Sequence, residues 1–183
     1  TSPLTFHRIR RVAVLGSGVM CSALACHLAQ CGAEVLLLDL PSDEGPRDKV
    51  AAGHLAKSLK SKPSPIYSKR FAGRIETGNF DDDLHKVANC DWILEVVVER
   101  LDIKQQLYER VEAHRTPGTF ITTNTSGIPI AMLAEGRSED FRLHFCGTHF
   151  FNPPRYLQLL AVIPRPDTKQ EVRNFFPAYG ATN

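Results

Sequence analysis

Arg11-Val12-Ala13-Val14-Leu15-Gly16-Ser17-Gly18-Val19-Met20-Cys21 is the stretch on which the reading of this chain turns. Arg11–Gly16 is a short β-branched run ending on glycine, the signature of a buried strand. Val19–Gln30 then reads as a helix, with Met20, Leu24 and Leu28 among small residues and Gly32 as its stop. In a strand–turn–helix of this kind Gly16 permits the tight turn, and Gly18 lets the backbone approach an anion. The helix N-terminus offers that anion unpaired N–H groups and the positive end of its dipole. Cys21 occupies the place where a further small residue lets helix and strand pack closely, so its sulfur has to fit between them.

Glu34–Leu40 is the next strand, closed by Pro41, and it delivers Asp39 23 residues after Gly16. A carboxylate there accepts hydrogen bonds from an adenosine ribose and repels a 2′-phosphate, which favours NAD over NADP. The bland alternative is a glycine-rich turn followed by an incidental aspartate. The expected cofactor residues are Gly16, Gly18, Val19, Met20 and Asp39, on a Rossmann-like, doubly wound α/β fold with a mostly parallel sheet and helices on both faces.

The rest of the chain keeps the alternation that such a fold needs. Helices are expected at Asp48–Lys60, Asp81–Ala88, Leu101–His114, Pro129–Ala134 and near Thr168–Phe176. Strands are expected at Gly73–Gly78, Asp91–Val98, Thr119–Asn124, Phe145–Phe151 and Leu157–Ile163. Leu101, Ile103, Leu107 and Val111 give Leu101–His114 a clear apolar stripe. No internal repeat or low-complexity tract breaks the pattern.

The chain has 183 residues, 43% of them apolar and 23% charged, a globular composition that excludes disorder and fibre. Twenty-two Lys and Arg against 20 Asp and Glu leave +2, too balanced for an electrostatic nucleic-acid binder. No apolar run approaches a membrane span, and Thr1–Arg11 is polar and basic, so a cytoplasmic protein is expected. Cys21, Cys26, Cys31, Cys90 and Cys146 are odd in number and lack metal-ligand spacing, so free, mostly buried thiols are expected and no metal.

Gly147-Thr148-His149-Phe150-Phe151-Asn152-Pro153-Pro154 holds the second chemical signal. A histidine in an apolar strand is often a satisfied core residue. Here the strand end faces the side where ligands of open α/β sheets bind, and Asn-Pro-Pro stiffens the turn beyond it.

Taken together, Gly16–Met20, Leu94–Lys104 (LEVVVERLDIK), Thr123–Gly127 (TNTSG) and His149–Pro154 resemble the 3-hydroxyacyl-CoA dehydrogenases. Lys62-Pro63 and Thr77–Phe80 resemble the long bacterial fatty-acid-oxidation type. The resemblance implies that His149 is the base taking the 3-hydroxyl proton while hydride leaves C3 for NAD. It implies that Ser126 and Asn152 hold the substrate oxygen or the site geometry, and that Glu99, Lys104 and Asn124 contact the nicotinamide side of the cofactor. Read as residues alone, Glu99 and Lys104 are equally a solvated helix start. Lys57, Lys60 and Lys62 are either a solvated face or partners for coenzyme A phosphates.

The resemblance further implies that residues 1–183 form an NAD-binding domain, with the family's helical substrate and dimerisation domain absent. The full-length protein is then expected to be a homodimer acting on 3-hydroxyacyl-CoA, with neither nucleic acid nor membrane as partner. One departure stands out. The family pairs the histidine with a glutamate twelve residues later, and that position here is Ala161. Three readings stay open: an active dehydrogenase, a catalytically impaired NAD or acyl-CoA binding module, and a Rossmann dehydrogenase of hydroxy acids or sugar acids.

Overall fold

A computed structural model describes residues 9–150 and 159–175. The strands are β1 (Arg11–Leu15), β2 (Glu34–Asp39), β3 (Ile75–Asn79), β4 (Trp92–Glu95), β5 (Phe120–Thr123), β6 (Phe145–Phe150) and β7 (Leu159–Pro164). The helices are α1 (Val19–Gln30), α2 (Lys49–Leu59), α3 (Leu101–His114), α4 (Ile130–Leu133) and α5 (Glu139–Leu143). Residues 170–175 are also helical. The sheet runs β3-β2-β1-β4-β5-β6-β7, with every pair parallel except β6 and β7.

Alternation along the strands builds two cores. Val12, Val14, Val35, Leu37, Trp92 and Leu94 face α1 and α2, with Leu24, Leu28 and Leu55 packed over them. Ala13, Leu15, Leu36, Leu38 and Ile93 face the opposite layer, where Leu107, Tyr108, Val111 and Phe141 cover them. Strands covered on both sides read as continuous apolar runs, which is why β1, β2 and β4 stand out in the sequence. Connections from β1 run one way to β2, while β4 lies on its other side. The switch point where dinucleotides bind is therefore the crevice above the ends of β1 and β4.

The observed bounds of α1 and α3 are those the sequence predicts. The strand expected over Asp91–Val98 is shorter: it ends at Glu95, because the Glu95 carboxylate accepts the Val97 N–H at 2.7 Å and turns the chain out of the sheet. Val98 is thereby 60% exposed at the crevice rather than core. The acidic helix expected at Asp81–Ala88 is a 3-10 turn over Leu84–Asn89. Asn79 Oδ1 accepts the N–H groups of Asp81 and Asp82, so those residues belong to a turn.

Two short elements go beyond the sequence reading. One is a 3-10 turn over Lys69–Arg74. The other is α5, whose N-cap Ser138 accepts the Phe141 N–H at 3.2 Å ahead of Glu139 and Asp140. Among the described residues no helix is long and apolar enough to cross a membrane.

Candidate active site

The turn after β1 is shaped by backbone demands. Gly16 has φ +113°, and a Cβ there would lie 2.9 Å from Val96 O, so only glycine fits. Around Gly18 a Cβ would meet nothing within 4 Å, which leaves the approach to the α1 N-terminus open. Among the described residues no side chain caps α1. Ser22 instead donates its hydroxyl to Ser17 O at 2.7 Å, fixing the turn from inside. Cys21 fits in the helix–strand contact, buried, with its thiol toward Val96 O at 3.6 Å. Burial pushes that thiol up to about 12, so it stays protonated.

Asp39 sits at the tip of β2 and closes onto this turn. Its Oδ2 accepts the Ser17 N–H at 2.9 Å and the Ser17 hydroxyl, and its Oδ1 accepts the Leu40 N–H at 2.7 Å. Between Asp39 and the β4–α3 loop lies a cavity of about 650 Å³, lined by Gly16, Asp39, His54, Val96, Val98 and Arg110 among others. Leu40 and Val98 line it while 64% and 60% exposed, apolar lips suited to a flat ring between them. Val19 is 83% exposed at the first turn of α1, and Met20 is half-buried.

Past the β4 end, two predicted residues divide into different tasks. Lys104 is 1% exposed, its Nζ donating to Glu95 Oε1 at 2.7 Å and to Val97 O at 3.2 Å. Glu95 is itself buried and also accepts the hydroxyls of Tyr108 and Thr123, each at 2.6 Å. Burial and the neighbouring Glu95 charge raise the Tyr108 hydroxyl well above its ordinary range. The solvated-helix-start reading therefore does not describe Lys104, which is anchored inside.

Glu99 is half-exposed, and its Oε1 gathers the Thr125 hydroxyl and the N–H groups of Ser126 (3.2 Å), Gly127 (2.9 Å) and Ile128 (3.2 Å). Partial burial opposes ionisation. The bonds from Thr125 and Gly127, and the Lys104 charge 3.7 Å away, outweigh it and hold the carboxyl below its usual range. Glu99 thus shapes the loop that carries Ser126, which is exposed. Asn124 donates its N–H to Glu95 O at 2.9 Å, while its buried Oδ1 has no partner among the described residues. Sequence reading passed over Glu95, Thr125, Tyr108 and His54. The LEVVVE block contains two glutamates, and only the fold shows which one faces inward.

His149 is exposed near the end of β6. Thr123 pairs with Gly147, so His149 and Ser126 emerge from adjacent strands on the crevice side of the sheet. Across the antiparallel ladder His149 is paired with position 161. Asn152 lies outside the described residues, and Lys57, Lys60 and Lys62 are exposed at the end of α2 and beyond.

An open glycine cradle, an uncapped helix start and the Asp39 carboxylate around one cavity, with the Asn124 acceptor just beyond the end of β5, fit an NAD dinucleotide. Residues 11–181 match the family described as 3-hydroxyacyl-CoA dehydrogenase, NAD binding domain. A probable 3-hydroxyacyl-CoA dehydrogenase of Bacillus subtilis is 44% identical over 94% of this chain and 24% of its own length. Its counterpart in Deinococcus radiodurans is 44% identical over 94% of this chain and 50% of its own length. The crystal structure of an Escherichia coli 3-hydroxybutyryl-CoA dehydrogenase superposes with a TM-score of 0.74 at 27% identity, covering 96% of this chain and 36% of that one. The chain spans between a quarter and a half of these curated relatives. With a matching family over nearly its whole length and a dinucleotide crevice to go with it, the chain belongs to the 3-hydroxyacyl-CoA dehydrogenase family as its NAD-binding domain.

Proposed function

We propose that the chain is the cofactor half of an enzyme that oxidises L-3-hydroxyacyl-CoA to 3-ketoacyl-CoA in fatty-acid β-oxidation. The observation that carries this reading is the placement of His149 at the crevice end of β6, beside the strand that leads to Ser126. NAD, when bound, supplies the hydride acceptor. In this reading an imidazole nitrogen of His149 takes the proton from the 3-hydroxyl oxygen as the C3–H bond breaks. Ser126 and Asn152 hold the substrate oxygen. Glu99 keeps the Ser126 loop in shape, and Lys104 ties the start of α3 to β4 beside the nicotinamide end.

Further parts of the proposal concern the whole protein: a cytoplasmic homodimer when full-length, completed by a helical domain, with no membrane or nucleic-acid partner. The exposed Lys57, Lys60 and Lys62 are candidates for the coenzyme A phosphates.

A second reading rests on the residue opposite His149. Alanine at 161 supplies no carboxylate to orient the ring or to stabilise its protonated form, and loss of such a partner costs on the order of 10²–10⁴ in rate. The chain would then bind cofactor and turn over slowly. Both readings are tested by reducing acetoacetyl-CoA with NADH, using wild type and Ala161→Glu of the full-length protein. A gain of about 10²-fold or more is expected. Equal rates would remove the impairment reading, and no turnover by either form, despite bound NADH, would remove the dehydrogenase reading.

A further inference from the structure

The hydrogen bonds at Asp39 leave an adenosine ribose one acceptor short. A carboxylate offers about four lone-pair positions. Among the described residues Ser17 fills two on Oδ2, through its N–H and its hydroxyl, and the Leu40 N–H fills one on Oδ1. One position remains, whereas a ribose brings two neighbouring hydroxyl donors that need partners when taken from water.

His54, on α2, lines the same cavity, and its Nδ1 lies 2.8 Å from Ser17 Oγ. The single hydroxyl proton of Ser17 is committed to the carboxylate, which has none to give. Nδ1 therefore carries a proton and donates it to Oγ, and in the neutral ring Nε2 is left as an acceptor. We propose that His54 is the second reader of the adenosine ribose: Asp39 Oδ1 takes one ribose hydroxyl, and His54 Nε2 takes the other.

Among the described residues the charged groups around the ring are few. Asp39 faces it from β2, and Asp48 at the start of its own helix is engaged by the Thr77 hydroxyl at 2.7 Å. Lys57 stands one turn further along α2, and Arg110 of α3, bonded to Asp81 at 3.0 Å, lines the same cavity. Helix α1 carries no carboxylate, Lys or Arg, and the β3 carboxylate Glu76 is taken by Arg11 and Lys86.

The test uses the 183-residue chain with ADP-ribose, titrated calorimetrically and followed by NMR, so it needs no acyl-CoA chemistry. His54→Asn keeps a donor at the Nδ1 place without the far acceptor, and it is expected to bind ADP-ribose about five- to ten-fold more weakly. His54→Gln, which can present an amide oxygen at the Nε2 place, is expected to recover most of that loss. In the wild type, the ring's 15N shifts are expected to show the proton on Nδ1 with Nε2 bare, and saturation with ADP-ribose is expected to move the Nε2 signal. Asparagine binding as tightly as histidine, a ring protonated at Nε2 with Nδ1 bare, or an Nε2 signal unmoved by saturating ADP-ribose would each overturn the proposal. The tautomer and the response of the Nε2 signal to ADP-ribose decide the matter even if a variant does not fold. A wild-type chain that does not bind ADP-ribose overturns the cofactor assignment as well.

Discussion

Four donors on one oxygen make Glu99 the hinge of the Ser126 loop. Its carboxyl is held below the usual range by the bonds from Thr125 and Gly127 and by Lys104, against the opposing effect of burial. A carboxyl depressed on folding contributes stability that is complete above its unfolded value, about 4.3, and is lost as pH falls through the depressed folded value. Protection of the Ser126, Gly127 and Ile128 amides, measured against each amide's intrinsic exchange rate at the same pH, is therefore expected to be full at neutral pH and to fall only in acid. Glu99→Ala is expected to make exchange fast throughout and to cost about 1–2 kcal/mol, discounted for the exposure of the carboxylate. Unchanged exchange in that variant would show that the loop holds itself.

Much of the site at this scale was legible. Gly16, Gly18 and Asp39 announce themselves because backbone sterics and charge dictate their identity locally. The inward turn of Glu95, the burial of Lys104 and the contact of His54 with Ser17 were not legible. Each depends on a partner between 9 and 37 residues away in sequence.

Among the elements, α3 is fastened to β4 by the buried Lys104–Glu95 pair at 2.7 Å. Removing one partner of such a pair strands the other charge, which typically costs about 3–5 kcal/mol, whereas replacing both is often mild. Lys104→Met is expected to destabilise to that extent in denaturant unfolding, and adding Glu95→Gln is expected to return most of the loss. A single-variant cost below about 1 kcal/mol would mean that α3 is held by Leu107, Tyr108 and Val111 alone. The same pair explains why the fourth strand reads longer than it is. Val96-Val97-Val98 has the composition of a strand, yet Glu95 spends one oxygen on the Val97 N–H and the chain bends into the crevice. Helices α1 and α3 were legible to the residue because their signals are local: Gly18 and Gly32 flank α1, and α3 carries its own apolar stripe.

On the scale of the whole molecule, binding and folding are linked through the crevice, since the dinucleotide site exists only when β1, β2 and β4 are assembled. NADH at a hundred times its Kd is expected to add about 2.7 kcal/mol. For a chain of this size that corresponds to a rise in Tm of roughly 5–10 °C. Calorimetric scans with and without NADH measure it, and an unmoved Tm at saturating ligand would contradict the cofactor assignment. The doubly wound architecture was legible from the alternation of segments, with one exception in kind. Leu157–Ile163 reads simply as a strand, and nothing local shows that β7 runs antiparallel, because direction is set by the connection and not by strand composition.

That reversed strand carries an irregularity: the ladder shifts between His149 and Phe150, so that His149 pairs with Ala161 while Phe150 pairs with Leu159. A regular hairpin can slide by two residues and keep every side chain on its own face. This one cannot slide without moving its bulge as well. The residue across from the imidazole is thus fixed by address, and its chemistry can be rewritten by substitution at that address but not by slippage of the strand.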